Sequence, residues 1–260
     1  MNYGFYMATA GMLSGSHRMD IASNNLANLE TPGFKVDVAM IRSRDTAREE
    51  DGLHHLPSNE LLERLGGGVL PWPTRIDFDE AGVEITNDPL DVAVRGEGFL
   101  AVLDESDPEG NTTRLTRDGR LALRPDGTLV TRNHSRPVLD EGGREIRLDP
   151  AAPVEFAGDG AVKQHGAVVA RLMVASVADP QVLEKAGDGL YRGPASVMAS
   201  LQSVENPRVT PGAIERSGTD PIDALNAVRS AGGMVSRNAR MIDIHNDAMQ
   251  MAISRLGRTS

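Results

Sequence analysis

The chain contains no cysteine. That excludes disulfides, Cys-ligated zinc and thiol catalysis, and it leaves the compartment open. Aromatic residues make up only 3% of the sequence and apolar residues 40%, so packing must come from aliphatic side chains, Met and Ala. Basic residues are in deficit: 27 Lys and Arg against 37 Asp and Glu give a net charge of −10. Nucleic-acid affinity rests mainly on neutralised phosphates, so no nucleic-acid partner is expected. No apolar run approaches the roughly 18 residues of a spanning helix, and no membrane-spanning segment is expected.

Motifs for common chemistries are also missing. The six histidines are scattered, His54-His55 has no second ligand set at helical spacing, and no H-E-x-x-H occurs. There is no G-x-S-x-G elbow. Gly66-Gly67-Gly68 lacks the Lys-Ser/Thr of a phosphate loop and reads as a flexible entry to the middle of the chain. No catalytic residue, metal or cofactor is expected. Ala8-Thr9-Ala10 imitates a signal-peptidase site, yet the stretch before it has no Lys or Arg and is too short for an apolar region. A helical pattern runs straight through it, so the N-terminus is read as uncleaved.

What is present is a repeat at each end. Phe5, Ala8, Met12, Gly15, Met19, Ala22, Leu26 and Leu29 follow alternating three- and four-residue steps, the spacing of a coiled-coil seam. One row is bulky (Phe5, Met12, Met19, Leu26), whereas the other begins with small residues that let a partner helix approach closely. Near the C-terminus, Leu225, Val228, Gly232, Val235, Ala239, Ile242, Asn246, Met249, Ile253 and Leu256 repeat the spacing. Asp220-Pro221 supplies the start signal, an N-cap followed by proline at the first helical position. A second row (Ala227, Ala231, Met234, Met241, Ala248, Ala252) widens the stripe, which predicts more than one neighbour. Amphipathic terminal helices usually pack on their own core, but here both flank a middle region that completes its own fold.

That middle reads as β-structure. Asp91–Val94 and Phe99–Val102 are strand candidates around Gly96-Glu97-Gly98. Asp118-Gly119 and Asp126-Gly127 are hairpin signals between Leu115, Leu121–Leu123 and Leu129–Thr131. Val168, Ala170, Leu172 and Val174 alternate as one face of a later strand. Strands without intervening helices imply antiparallel pairing. The expected class is therefore α+β, with terminal helices pairing as a coiled-coil-like domain and a mainly antiparallel, all-β central domain. The expected segments are residues 1–35 (N-terminal helix), 36–65 (charged linker, holding Pro57), 66–211 (β-rich domain) and 212–260 (linker and C-terminal helix).

One motif competes with this reading. Gly96-Glu97-Gly98-Phe99-Leu100-Ala101 matches G-x-G-x-x-A, with Asp118 about twenty residues on, the alternative being a dinucleotide-binding enzyme. Pyrophosphate binding requires a helix N-terminus after the glycines. The residues here continue as a strand, so a glycine-based β-turn is expected instead.

The most specific local signal is Asn24-Asn25-Leu26-Ala27-Asn28, followed by Leu29-Glu30-Thr31-Pro32-Gly33-Phe34-Lys35. Pro32 ends a helix and pushes Thr31 toward an extended conformation. Pro-Gly suits the central positions of a type II turn, with Phe34 docking beyond it. The run resembles the N-terminal signature of flagellar rod and hook proteins, carried here by Asn24, Asn25, Ala27, Asn28, Thr31, Pro32, Gly33 and Phe34. Asn87–Phe99, Thr116-Arg117-Asp118-Gly119 and Asp126-Gly127-x-Leu129-Val130 resemble further segments of that family. Ile214-Glu215 is followed by Arg216-Ser217-Gly218 where the family commonly has Ser-Asn-Val.

The resemblance implies a structural subunit of the bacterial flagellar basal-body rod, of proximal type, with a distal rod subunit as the alternative. It also implies uncleaved export through the flagellar type III apparatus, and helical stacking with copies of itself and other axial proteins. The terminal helices would line the inner wall, and the rod would transmit torque across the periplasm. An unrelated coiled-coil adaptor is the remaining reading.

Overall fold

The computed structural model describes residues 3–50, 52–58, 68–105 and 112–256. Gly66 and Gly67 lie outside the described residues. The chain divides into two compact units, both discontinuous in sequence.

The first unit comprises residues 1–27, 37–77 and 220–260. Helix α1 (Tyr3–Ala27) contains no proline. Short helix α2 spans Ala47–Glu50, α3 of the second unit Ala195–Ala199, and the long helix α4 Pro221–Leu256. The cap of α4 is the expected one: Asp220 Oδ1 accepts from the backbone N–H groups of Ile222 (2.8 Å) and Asp223 (3.0 Å). α1 and α4 run antiparallel, with Gly4 against His245, Gly11 against Asn238, Gly15 against Val235 and Met19 against Gly232. The close approach depends on missing side chains. A Cβ on Gly15 would lie 3.0 Å from Val235 Cγ2 and 3.2 Å from the Val235 nitrogen.

Strand β1 (Asp37–Ser43) pairs antiparallel with β2 (Val69–Ile76), from Asp37 opposite Ile76 to Ser43 opposite Val69. Both strands lie along α1. Residues 36–65 are therefore not simply a linker, and Val69–Ile76 belongs with the terminal helices rather than with the β-rich domain. The segment's charge concealed this, because Val38, Met40 and Ile41 find their partners across a long insertion that local composition cannot reveal. Within it, the Arg48 guanidinium holds a turn together by donating to the carbonyls of Leu53 (2.9 Å), Leu56 (3.0 Å) and Pro57 (3.0 Å).

The second unit comprises residues 28–36 and 78–219. Its strands are β3 (Val83–Ile85), β4 (Val92–Arg95), β5 (Phe99–Asp104), β6 (Thr112–Thr116), β7 (Leu121–Leu123), β8 (Leu129–Thr131), β9 (Glu155–Phe156) and β10 (Ala161–Gln164). They continue with β11 (Ala167–Arg171), β12 (Val174–Ser176), β13 (Glu184–Gly187), β14 (Leu190–Arg192), β15 (Gln202–Ser203), β16 (Arg208–Pro211) and β17 (Ala213–Glu215). All described pairings are antiparallel. The largest sheet has the order β13-β14-β6-β5-β12-β15, beside smaller pairings β11-β10-β9, β16-β4, β17-β3 and β7-β8. Leu100, Leu121, Leu129, Val138, Ile146 and Leu172 are fully enclosed at the centre, which explains how a chain so poor in aromatics builds a core.

Three local expectations need correction. Asp126-Gly127 does close the β7–β8 hairpin, with Gly127 at φ 87°, but Asp118-Gly119 closes none. The Gly119 carbonyl instead accepts from Val92 N–H (2.9 Å), turning the chain from one pairing to another. Residues 212–219, expected as linker, contain β17, which pairs with β3, while β16 at the end of the expected β-rich segment pairs with β4. Finally, Val168 to Val174 is not one strand. β11 ends at Arg171 and β12 starts at Val174, leaving Val168 exposed while Leu172 is buried.

Candidate assembly surface and motif junction

The expected seam residues of α1 divide by size. Ala8, Gly15 and Ala22 are buried, Met19 and Leu26 half-buried, and Phe5 and Met12 exposed. Leu29 lies past the helix end and is half-buried. On α4, Val228, Val235, Ala239 and Ile242 are half-buried, whereas Leu225, Asn246, Met249 and Ile253 are exposed. The Leu256 side chain lies outside the described residues. The covered face of α4 is Ala224, Val228, Ala231, Val235, Asn238, Ile242 and His245. It keeps the expected spacing, and the glycines of α1 leave room for three of its side chains: His245 against Gly4, Asn238 against Gly11 and Val235 against Gly15.

Much apolar surface is left over. Tyr6 and Leu13 on α1 are more than half exposed. On α4, Ile244 is 59% exposed, Met251 56% and Ile253 69%. At 1.5 Å per residue, residues 246–256 carry α4 about 16 Å beyond the position opposite Gly4.

The asparagine-rich motif has a different use. In the first unit, the Asn25 side chain reads both backbone groups of Asp37: Nδ2 donates to its carbonyl (2.8 Å) and Oδ1 accepts its N–H (3.0 Å). Asn24 Nδ2 donates to Asp37 Oδ2 (3.1 Å). These bonds pin the start of β1 to the end of α1. In the second unit, Thr31 Oγ1 donates to Asn28 Oδ1 (3.1 Å), and Phe34 N–H closes a turn onto the Thr31 carbonyl (3.2 Å). Pro32 and Gly33 occupy its centre, with Gly33 at φ 68° as a type II turn requires. Any Cβ on Gly33 would run into the Arg117 carbonyl. Ala27 is exposed, whereas Pro32, Gly33 and Phe34 are buried.

Beyond the turn lies a buried charge cluster that sequence reasoning missed as a unit. Lys35 and Glu215 are each 1% exposed, and Lys35 Nζ donates to Glu215 Oε1 at 2.7 Å. Lys35 Nζ also donates to the Asp79 carbonyl (2.7 Å), and Ala81 N–H donates to Glu215 Oε1 (3.1 Å). Arg117 Nη1 donates to Glu215 Oε2 (3.1 Å), while its Nη2 donates to the Gly96 carbonyl (2.6 Å). Phe34 lies beneath the Lys185 ammonium, 3.8 Å from Nζ to ring centre, and Lys185 donates to the Lys35 carbonyl (2.6 Å). Segments that carry the family resemblance thus meet at one carboxylate: Thr31–Lys35, the Gly96 turn and Arg117 all converge on Ile214-Glu215. Their common appearance in the resembling motifs was the available signal.

Burial pushes the Lys35 ammonium below its ordinary value of 10.5, against the opposing attraction of Glu215. Between the lowered value and 10.5 the unfolded chain holds more protons than the folded one, so the Lys35 contribution grows with pH across that window. It is fully present above 10.5 and lost as pH falls through the lowered value. Urea titrations of the wild type and Lys35→Met should show the difference between them shifting in favour of the wild type as pH rises toward 10.5. A difference that falls over that range would reject this account.

The Gly96–Gly98 turn is the expected β-turn. It joins β4 to β5, no helix follows it, and the Gly96 N–H that a phosphate would need donates to the Glu80 carboxylate instead (3.1 Å). Among the described residues, no group of three or more His, Asp or Glu is placed to hold a metal. No described helix is long and apolar enough to cross a membrane.

Comparison with known proteins fits this geometry. The family described as "Flagella basal body rod protein" matches residues 5–35, which cover α1 and the turn down to Lys35. The flagellar basal-body rod protein FlgF of Caulobacter vibrioides is 30% identical over 261 residues, covering 99% of both chains. The chain belongs to the flagellar basal-body rod protein family. FlgF of Escherichia coli is 27% identical with 95% of each chain covered, and FlgF of Salmonella typhimurium 28% with 86% covered. This rod protein is accordingly a structural subunit of the basal-body rod, of the proximal type, and not an enzyme. The Asn24–Lys35 run and the buried carboxylate are framework features of a rod subunit rather than a site of chemistry.

Proposed function

We propose that this rod subunit polymerises helically through its terminal helices, and that the polymer transmits torque. α1 and α4 pair as a coiled-coil-like element, supported by the four- and three-residue steps of Ala224, Val228, Ala231, Val235, Asn238, Ile242 and His245 on α4. Neighbouring helices, from copies of this chain and from other axial proteins, cover what that pairing leaves open. The observation that carries this is the apolar surface of α4 that α1 does not cover: Met241, Ile244, Met249, Met251 and Ile253 are all exposed. Full burial of one such side chain contributes about 1.5–3 kcal/mol, so a few suffice to drive association.

Export through the flagellar apparatus without cleavage completes the reading. Ala8 and Ala10, the residues of the apparent cleavage signal, are buried in α1, so processing there would remove part of the helix pair.

The test is Ile244→Glu with Ile253→Glu in the full chain. Both positions are exposed in the single subunit, so its melting temperature should stay within a few degrees of wild type. Incorporation into basal bodies and swimming motility should be lost. Normal motility with both glutamates present would refute the proposal.

A further inference from the structure

We propose that the exposed methionines of the terminal helices form an oxidation site: peroxide converts their thioethers to sulfoxides on the free subunit, and the sulfoxidised subunit no longer assembles. This rests on the proposal that the helices are the assembly surface.

The sequence holds 11 methionines and no cysteine. Thiolates are ordinarily the first sulfur to react with peroxide, so in this chain two-electron oxidation falls to Met. Methionine is also among the residues most often enclosed. Here Met7, Met12, Met241, Met249 and Met251 are all exposed on α1 and α4, between 38% and 56%. The second unit builds its core from Leu, Val and Ile, and its described methionines, Met173 and Met198, are half-buried. Of the six described methionines that are exposed, five lie on the two helices and one, Met40, on β1, so reactive sulfur is concentrated on the faces proposed to meet neighbouring helices.

The chemistry balances with hydrogen peroxide as the sole co-reactant. A sulfur lone pair attacks one peroxide oxygen and the O–O bond breaks. The sulfur gains one oxygen and loses two electrons, and the other oxygen leaves as hydroxide, which takes the proton of the new S–OH group to give the sulfoxide and water. The product carries a strongly polar S–O bond in place of a soft thioether that adapts to irregular apolar surfaces. Burying that group between helices incurs a desolvation cost where the thioether gained from burial. A subunit already built into the rod has these sulfurs covered, so oxidation acts before assembly and assembly protects against it.

The test uses the full-length subunit. Hydrogen peroxide is added, oxidised positions are mapped by peptide mass spectrometry, and self-association is followed by sedimentation against concentration. The five helical methionines should oxidise ahead of Met173 and Met198. The concentration needed for association should rise by at least about tenfold and return after treatment with methionine sulfoxide reductases of both epimer specificities. In a variant with all five changed to Leu, the ratio of oxidised to untreated association should fall to about one, whatever its starting affinity. The proposal is overturned if the wild type, fully oxidised at these sulfurs, associates as well as untreated protein, or if peroxide weakens the Leu variant equally. The Ile244→Glu, Ile253→Glu subunit separates the two ideas. If it associates normally, the assembly reading itself falls; if it is blocked while the sulfoxidised protein is not, only the oxidation site is lost.

Discussion

Replacing Glu215 with Gln is expected to lower the unfolding free energy of the full-length subunit by about 3–5 kcal/mol. The carboxylate is the sole anion bonded to both Lys35 and Arg117 in the described cluster, and all three side chains are almost wholly enclosed. An amide can still accept from Lys35, but its Nε2 would point a donor at Arg117 Nη1 and leave two cations in low dielectric without compensation. The cost is that of stranding charge, not of losing one attractive pair. The combined change Lys35→Met, Arg117→Met, Glu215→Met should therefore cost less than Glu215→Gln alone, since it removes both the attraction and the desolvation. Urea denaturation followed by circular dichroism measures both. A loss below about 1 kcal/mol for Glu215→Gln would mean that water reaches the cluster and screens it.

The second large effect is expected at Gly15. Its neighbour across the helix pair includes the Val235 backbone nitrogen, which cannot swing aside as a side-chain tip does. Leucine at this position must separate α1 from α4 or bend one of them. Overpacking of this type costs about 1–3 kcal/mol where the structure can relax. Here relaxation means losing the face formed by Ala8, Gly15 and Ala22. Gly15→Leu should thus lose helical signal on mild heating while the β-sheet transition stays in place, and cells carrying it should be non-motile. One unchanged cooperative transition, with normal motility, would show that the helices need no close approach.

Both predictions bear on what could be read in advance. The spacing of apolar residues at each end revealed the helices, the Asp220-Pro221 start was correct to the residue, and Asp126-Gly127 marked its hairpin, because each signal acts over a few neighbouring residues. The covered residues of α4 include Ala224, Ala231, Asn238 and His245 beside the expected Val228, Gly232, Val235, Ala239 and Ile242. Periodicity reports where apolar residues recur, whereas Gly4 and Gly11 on α1 admit the polar side chains of His245 and Asn238 on its partner. The β1–β2 hairpin was missed because its strands are joined across a long charged insertion. The charge cluster was missed because Lys35, Arg117 and Glu215 are far apart in sequence and each, taken alone, reads as a solvated surface residue.

The first unit draws on residues 1–27, 37–77 and 220–260, and this affects the order in which the molecule becomes complete. During synthesis α1 emerges first and must wait for nearly the entire polypeptide before α4 exists to cover it. Residues 28–36 and 78–219 can meanwhile close their own sheet, since every strand of that unit has already emerged. The paired helices are consequently the last part of the subunit to form.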